Sequence, residues 1–458
     1  MGKRLIVNLF EMNTPGHITH GLWRLPGNQR ERYKDLDYWK QLAELAERAG
    51  FDTVFLADVL GAYDVYDGDH APAVRRGLQI PNNDPMLVVP AMAAVTDHLG
   101  FGVTSSTTYE PPFAFARRMS TLDHLTRGRI GWNIVTSYLP NAAQNFGLAE
   151  QIPHDQRYAR AAEYVEVLYK LWEGSWDDDA LPRDRSSGLY AIPDKVRRID
   201  HAGTHFRVSG PHLSEPSPQR VPLLFQASAS RAGLDFAARN AEVLFTADRP
   251  AGALQRNISE IRDAALGHGR RRDDVRFVVM ATIVAGRTEQ EAHAKYRRYR
   301  EFRDEHGAFV HMSVPFHPLD HDPRVTVRSA LEAEGRADLV EGSSLPLHLT
   351  VGEFVEAVDE AWDPRFCAVG DPRQIADRVE EWMEVDGIDG INLRQYHSFD
   401  TVTDFATLVA PELRRRGIMR ESYVPGETLR ERFMGGGPRL PDRHPAARYR
   451  GGRHLPGR

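Results

Sequence analysis

The feature that most constrains the fold is an alternation of short apolar runs with longer segments of helical periodicity. Residues 53–57 form one such run, and in the segment before it, residues 37–49, apolar side chains recur at intervals of three and four. Strands that alternate with helices form parallel sheets with right-handed crossovers. Eight strands are predicted in this way, over residues 4–10, 53–57, 100–105, 130–135, 221–227, 243–246, 275–284 and 388–393. Eight such units predict an α/β fold, a TIM (β/α)8 barrel, in preference to an open doubly wound sheet.

The chain of 458 residues is longer than a bare barrel requires, and two segments interrupt the alternation. Residues from about 174 to 220 are rich in Pro, Ser and charge, which predicts an insertion. Residues from about 307 to 363 hold His311, His317 and His321 among prolines and show no clear strand, which predicts a second insertion that could serve as a lid. We therefore expect one domain over residues 1–458, with two insertions and an irregular, basic C-terminal tail from about 414 to 458.

Composition and charge exclude several classes of partner. The 58 Lys and Arg residues face 64 Asp and Glu residues, a formal net charge of −6, so there is no general basic field to hold nucleic acid or an anionic membrane. A single cysteine, Cys367, allows no internal disulfide and is expected as a small buried side chain. No signal-peptide core and no apolar run of about 18 residues occurs. We expect a cytoplasmic protein that binds neither nucleic acid nor membrane.

Several common chemistries lack their sequence motifs. No G-x-G-x-x-G follows a strand and no G-x-x-x-x-G-K-[ST] occurs, so neither a Rossmann dinucleotide site nor a P-loop is predicted. The 19 histidines include no H-E-x-x-H, and His17 and His20, three apart in a loop, are a weak metal pattern, so no metal site is predicted. The absence of a G-x-S-x-G elbow argues against a serine hydrolase.

The loops that follow the strands carry the unusual residues, as expected where a barrel places its function. Asp58 follows the second predicted strand, and a cluster of hydroxyl residues, 104–108, follows the third. The segment QASASRAG, residues 226–233, follows the fifth strand and leads into a helix. Free backbone N–H groups, the helix dipole, two serines and Arg231 would converge there on a phosphate-sized space. The alternative is a serine N-cap beside a solvated arginine.

Long segments of the chain are similar to one known family. They include NLFEMNTPGHITHGLWRLPGNQRERYKDLDYW, LADVLGAYDVY, ARRMSTLDHLTRGRIGWNIVTSYLPNAAQNFG, HDQRYARAAEYVEVLYKLWEGSW, HLSEPSPQRVPLLFQA and PRLPDRHPAARYR. The chain resembles the bacterial luciferase-like flavin monooxygenases. The resemblance is stronger to the branch that includes nitrilotriacetate, dibenzothiophene sulfone, dimethyl sulfide and long-chain alkane monooxygenases.

The resemblance implies a barrel that uses reduced FMN, delivered by a separate NAD(P)H-dependent flavin reductase, and O2 to add one oxygen to a small organic substrate. The flavin contacts that it implies are Asp58, Thr104, Asn133, His154 and Tyr158, with Ser228 and Ser230 at the phosphate. The catalytic residues that it implies are Tyr63, Tyr138 and His311, and the substrate contacts are Thr14, His17 and Gln79. A homo-oligomer, either a dimer or a tetramer, is also expected.

The substrate is left open by the resemblance. The alkane-oxidising branch is expected to carry a Cys and a His where this chain has Thr14 and Tyr138, whereas the context of Tyr138 is closer to that of dialkyl sulfide oxidisers. A dialkyl sulfide or a related compound is therefore the leading expectation. Long-chain alkane hydroxylation, oxidative cleavage of the riboflavin ribityl chain, deazaflavin-dependent hydride transfer and flavin binding without catalysis are the alternatives.

Overall fold

Eight parallel strands close into a barrel in the computed structural model, which describes residues 4–228, 230–246, 251–340, 345–363 and 365–455. The strands are β1 Ile6–Met12, β2 Thr53–Ala57, β3 Gly100–Ser106, β4 Ile130–Val135, β5 Leu223–Ala227, β6 Val243–Phe245, β7 Arg276–Ala285 and β8 Gly390–Arg394. Each pairs in parallel with the next, and β8 pairs with β1, which closes the sheet. The predicted TIM barrel is confirmed.

Helices separate the strands and form the outer layer. They are α1 Leu36–Ala49, α2 Ala71–Arg76, α3 Val89–Ala93, α4 Pro112–Leu125, α5 Pro140–Asn145, α6 His154–Tyr169, α7 Arg231–Asn240, α8 Ala251–Gly267, α9 Glu289–Glu301, α10 Glu305–His311, α11 Val327–Ala333, α12 Val351–Glu360, α13 Pro372–Glu384, α14 Asp400–Asp404, α15 Ala410–Arg415 and α16 Leu429–Met434. Gly50 ends α1 with φ 88°, the left-handed conformation that glycine adopts without strain, and the chain then turns into β2.

The tail closes the amino-terminal end of the barrel. Leu429 and Phe433 of α16 join an apolar cluster with strand residues that point into the barrel, among them Phe55. Arg430 is 1% exposed and holds Glu242 by two hydrogen bonds, Nε to Oε1 at 2.7 Å and Nη2 to Oε2 at 2.9 Å. A buried, bidentate ion pair of this kind fixes the tail to the barrel at the end opposite the strand-end loops.

The predicted insertions carry short elements of their own. The first contains a small antiparallel hairpin, His201–Ala202 with Arg207–Val208. The second contains α11 and α12 and packs on the loop after β2 through an apolar cluster that includes Tyr63 and Phe316. An additional strand, Cys367–Gly370, pairs with β7 beyond the barrel and was missed by the sequence prediction; Cys367 is partly exposed in it.

Two general features of the fold concern the parts of the chain that the structure describes. There, no helix combines the length and the apolar character needed to cross a membrane. Nor, within the same residues, do three or more His, Cys, Asp or Glu side chains gather in an arrangement that could hold a metal ion.

Candidate functional site

A cavity of ≈ 380 Å³ lies at the carboxyl ends of β2, β4 and β5, where a barrel of this kind places its active site. Six of the residues that the resemblance named line it: Asp58, Tyr138, His154, Tyr158, Ser228 and Ser230. They come from three strand-end loops and from the first turn of α6. The fold therefore brings together residues that lie up to 172 positions apart in the sequence.

One end of this cavity is built around the start of α7. Ser230 caps the helix, its Oγ accepting a hydrogen bond from the Gly233 backbone N at 3.2 Å. The Tyr158 hydroxyl lies 3.2 Å from Ser228 Oγ. A Cβ atom at Gly233 would lie 1.8 Å from Ser228 Oγ and 2.4 Å from the Tyr158 hydroxyl oxygen, so only glycine allows these hydroxyls to approach the helix. Ser230 as an N-cap beside an exposed Arg231 is the arrangement that the alternative interpretation of the sequence described. Hydroxyls and a helix N-terminus are also groups that bind anions, and the anion site stays a prediction.

The arginine at this end is not the one that the sequence suggested. Arg231 is exposed and is not among the residues that line the cavity. Arg157, on the first turn of α6, lines the cavity and is 9% exposed. Its buried Nε has no hydrogen-bond partner among the residues that the structure describes. Burial lowers the pKa of its guanidinium group. An anion in the cavity would supply the missing partner, since a buried charge is stable only when it is paired.

His154 stands at the rim of the same end. Its Nδ1 lies 2.8 Å from Asp155 Oδ1, and its ring packs against the Tyr158 ring with centroids 5.1 Å apart. The His154 side chain is 46% exposed, so it can turn toward a ligand without breaking the core.

Asp58 lies between the cavity and a neighbouring one of ≈ 660 Å³, which Thr104 and Gln79 also line. Asn82 Nδ2 donates a hydrogen bond to Asp58 Oδ1 at 2.9 Å. Burial raises the pKa of the Asp58 carboxyl to about 7, and the hydrogen bond from Asn82 offsets only part of this rise. The carboxyl can therefore both donate and accept a proton near neutral pH.

Thr104 and Asn133 form the floor of the site inside the barrel. Asn133 Nδ2 donates to Thr104 Oγ1 at 3.0 Å, and both residues are buried. Within the described part of the chain, Asn133 Oδ1 has no hydrogen-bond partner. The Asn133 amide is thus beneath the strand-end loops rather than among the cavity-lining residues, and it could serve a ligand through its free oxygen.

The predicted substrate-side residues meet next to Asp58. The Tyr63 and Tyr138 hydroxyls lie 2.6 Å apart, and the Tyr63 hydroxyl donates to Gln79 Oε1 at 3.4 Å. Tyr63 is 2% exposed and Tyr138 is 57% exposed, so the pair links a buried ring to an exposed one. The His311 ring packs edge-on against Tyr63 at a centroid distance of 5.1 Å. Thr14 Oγ1 donates to the Pro81 carbonyl at 2.7 Å.

Three histidine rings pack behind Tyr63. His17 and His20 lie with ring centroids 6.3 Å and 5.1 Å from that of His311. Burial lowers the pKa of His311 to about 4 and lowers those of His17 and His20 well below the usual value, so all three imidazoles are neutral at pH 7. Neither ring nitrogen of His20 has a hydrogen-bond partner among the described residues. In the sequence, the spacing of three residues between His17 and His20 suggested only a weak metal site, and it did not predict that His20 packs against His311.

The chain matches a family model described as luciferase-like monooxygenase over residues 17–390. It is 46% identical over 452 residues to the long-chain alkane monooxygenase of Geobacillus thermodenitrificans (strain NG80-2), across 98% of this chain and 99% of that one. It is 41% identical over 460 residues to the dimethyl-sulfide monooxygenase of Hyphomicrobium sulfonivorans, across 98% and 94%. A third relative, nitrilotriacetate monooxygenase component A of Aminobacter aminovorans, is 33% identical over 442 residues, across 94% and 97%.

Solved structures show the same similarity. A crystal structure of long-chain alkane monooxygenase superposes with a TM-score of 0.90 at 44% identity, covering 98% of this chain and all of that one. A riboflavin lyase solved with modified FMN and riboflavin superposes with a TM-score of 0.87 at 36% identity, covering 98% and 100%. The resemblance found in the sequence is confirmed: the chain belongs to the luciferase-like monooxygenase family and is an oxidoreductase of the oxygenating kind.

Proposed function

We propose that this protein is the oxygenase component of a two-component system. It would use reduced FMN, delivered by a separate NAD(P)H-dependent flavin reductase, and O2 to oxygenate a small organic substrate such as a dialkyl sulfide. We further propose that it works in the cytoplasm as a homo-oligomer, either a dimer or a tetramer. The relative named as component A of a monooxygenase supports the division of labour with a second protein.

The observation that carries the proposal is the anion-binding end of the ≈ 380 Å³ cavity. Hydrogen-bond donors come from the hydroxyls of Ser228, Ser230 and Tyr158 and from the N-terminus of α7. Arg157 adds a positive charge, and its Nε has no hydrogen-bond partner among the described residues. A flavin mononucleotide has one phosphate for this end and a planar ring system for the rest. The close approach of α7 at Gly233 and the unpartnered Arg157 Nε both fit the phosphate of that cofactor.

The remaining residues would position the ring and exclude water. Asp58 would contact a polar edge of the ring, and its carboxyl would hold a proton there below about pH 7. Thr104 and the Asn133 amide would contact the ring from inside the barrel. Reduced FMN, when bound, supplies the electrons that activate O2. The protein's part is to keep that chemistry away from bulk water, and Tyr138 is placed to cover the site.

A polar hydroxyl and imidazole cluster would hold the substrate beside the ring. Tyr63, Tyr138 and Gln79 form one hydrogen-bonded chain, and the neutral His311 imidazole abuts it. His17 and Thr14 would line the far side. We place a dialkyl sulfide first because a tyrosine occupies position 138, and because the dimethyl-sulfide monooxygenase is among the similar relatives.

A second candidate is oxidative cleavage of the ribityl chain of riboflavin. The cavity of ≈ 660 Å³ adjoins the cofactor cavity through Asp58, and the Tyr109 and Phe146 rings that line it stack with centroids 4.5 Å apart. Such a space could take a second flavin ring. The structural similarity to a riboflavin lyase supports the same candidate.

A coupled assay tests these candidates together. The purified protein is supplied with a flavin reductase, NADH, FMN and O2, and is offered dialkyl sulfides, linear alkanes and riboflavin. Mass spectrometry should detect one added oxygen on a sulfide, whereas loss of the ribityl chain would favour the second candidate and an alkanol would favour alkane hydroxylation. No oxygenated product with any substrate, or turnover only with a reduced deazaflavin in the absence of O2, would refute the proposal.

The cofactor assignment has a separate test that needs no substrate. Arg157→Gln should weaken FMN binding about 10- to 100-fold, because a charge-assisted hydrogen bond contributes about 1.5–3 kcal/mol, and should change riboflavin binding little. Arg231→Ala is the matched control and should leave both affinities unchanged, since that side chain is exposed. Equal losses for FMN and riboflavin would show that the phosphate is bound elsewhere. Fluorescence titration under anaerobic conditions measures both ligands.

A further inference from the structure

The second insertion covers the substrate side of the site. Helix α10 ends at His311, which abuts Tyr63, and Phe316 joins the apolar cluster that contains Tyr63 and Tyr66. The position of this segment therefore decides how Tyr63 and Tyr66 are packed. A polar cluster at its outer edge joins it to the loop after β2.

His317 is the centre of that cluster. Its Nε2 lies 2.5 Å from Asp67 Oδ1, and its Nδ1 lies 3.4 Å from Glu334 Oε2. The edge of the ring faces Tyr66, with centroids 4.8 Å apart. Glu334, just after α11, also accepts hydrogen bonds from the His317 backbone N at 2.9 Å and from His321 Nε2 at 2.7 Å. The imidazole thus bridges the loop after β2 and the end of α11.

The bridge depends on the charge of the ring. An imidazole can donate from both nitrogens only when it is protonated. Partial burial lowers the pKa of His317, but the hydrogen bond to Asp67 and the charges of Glu334, Asp67 and Asp320 outweigh it and raise the pKa overall. A neutral ring would lose one donor and the positive charge that faces the carboxylates of Asp67, Asp320 and Glu334. Like charges at such distances repel.

The groups that face His317 come from every element packed around it. The loop after β2 contributes Tyr66 and Asp67, the 3-10 turn that follows His317 contributes Asp320, and His321 comes directly after that turn. The end of α11 contributes Glu334. Most of the charged groups around the His317 ring are therefore acidic. Protonation of the ring makes its interaction with them attractive.

We propose that His317 is a proton-operated latch that holds the second insertion against the loop after β2. When the ring is protonated, Asp67 and Glu334 are joined and the insertion is held against Tyr63 and Tyr66. When the ring is neutral, the carboxylates repel and the segment between α10 and α11 moves away from Tyr66. This device is independent of which substrate the site takes, so it stands or falls separately from the proposed function.

Hydrogen exchange of the full-length protein, read by mass spectrometry at pH 6 and pH 8.5, tests the latch. Protection factors remove the intrinsic effect of pH on exchange. Peptides within residues 312–335 should lose protection by about threefold or more at pH 8.5 in the wild type. His317→Gln should show the low value at both pH values. His293→Gln, whose side chain is exposed and only loosely paired with Glu289 at 3.9 Å, is the control and should behave as wild type.

Two outcomes would overturn the latch. One is equal protection of these peptides at both pH values in the wild type, and the other is a His317→Gln variant that keeps the pH dependence. If His317→Gln does not fold, Asp67→Asn carries the same test, because it removes one side of the bridge from the exposed loop and should reduce the difference between the two pH values.

Discussion

Asp58 offers the most quantitative test of the site, because its carboxyl is predicted to be neutral over much of the acidic range. Burial raises its pKa from 3.8 to about 7. In the unfolded chain the carboxyl ionises at its ordinary pKa, so between the two values the folded protein binds more protons than the unfolded chain does. The free energy of unfolding therefore falls as the pH rises through this window, the reverse of the usual behaviour of an ion-paired aspartate.

The size of the effect follows from the shift. About three pKa units at 1.36 kcal/mol each correspond to about 4 kcal/mol, and about 2.5 kcal/mol of this is lost between pH 5 and pH 8. An unfolding entropy of about 2.1 cal/mol/K per residue gives about 1 kcal/mol/K for a chain of this length. Asp58→Asn keeps the hydrogen bond from Asn82 but does not titrate. It should therefore gain about 2–3 °C in Tm, relative to wild type, on going from pH 5 to pH 8.

Thermal unfolding of the protein without added flavin, followed by calorimetry at both pH values, measures this difference. Asp97→Asn is the matched control: its carboxyl is 80% exposed and lies 3.8 Å from Arg127, an arginine that stays charged throughout this range, so its effect on Tm should be the same at both pH values. If Asp58→Asn shifts Tm equally at pH 5 and pH 8, the carboxyl is not desolvated. The assignment of a neutral Asp58 beside the flavin ring would then be wrong.

Three other substitutions test separate parts of the molecule. Arg430→Met should destabilise the protein by about 3–5 kcal/mol in denaturant unfolding, because it leaves the Glu242 carboxylate buried without its cation; adding Glu242→Gln should recover part of the loss. Gly233→Ala should weaken FMN binding at least about tenfold in fluorescence titration, because the new Cβ would lie 1.8 Å from Ser228 Oγ. Tyr138→Phe should lower turnover about 3- to 10-fold in the coupled assay and leave FMN affinity unchanged, because only the hydroxyl of the tyrosine pair is lost.

The barrel strands could be predicted because each is a short apolar run between turn residues. The run over residues 53–57 is the observed β2, Thr53–Ala57. The strand Cys367–Gly370 was missed because four small residues carry no alternation, and they pair only with the far end of β7. The start of helix α16, within the basic tail, is indicated by a sequence pattern. Thr428 and Glu431 form a capping box, in which each side chain bonds the other's backbone N–H.

The residues of the candidate site that could be predicted from the sequence are those that directly follow a strand or stand at the start of a helix. Ser228, Ser230 and Asp58 are of this kind, and all three line the cavity. The arginine could not be predicted, because proximity in the chain favoured Arg231, whereas the cavity receives Arg157 from a helix that lies about 70 residues earlier. The geometry of the crossover connections decides which helix faces meet at the mouth of the barrel. The periodicity of apolar residues in the sequence does not predict that geometry.

The two ends of the site are held by different kinds of structure, and this bears on the substrate. The proposed anion-binding end is built from the loop after β5, the cap of α7 and the start of α6, all tied directly to the barrel. The substrate end is assembled from loops and an insertion, where Thr14, Tyr138 and His311 come from three distant segments. Substitutions in those segments can alter the substrate end of the site while the proposed cofactor contacts stay in place. A relative at 46% identity and another at 41% can therefore be named for an alkane and a sulfide, and identity along the whole chain does not choose between them. The residues at positions 14 and 138 are where that choice should be sought.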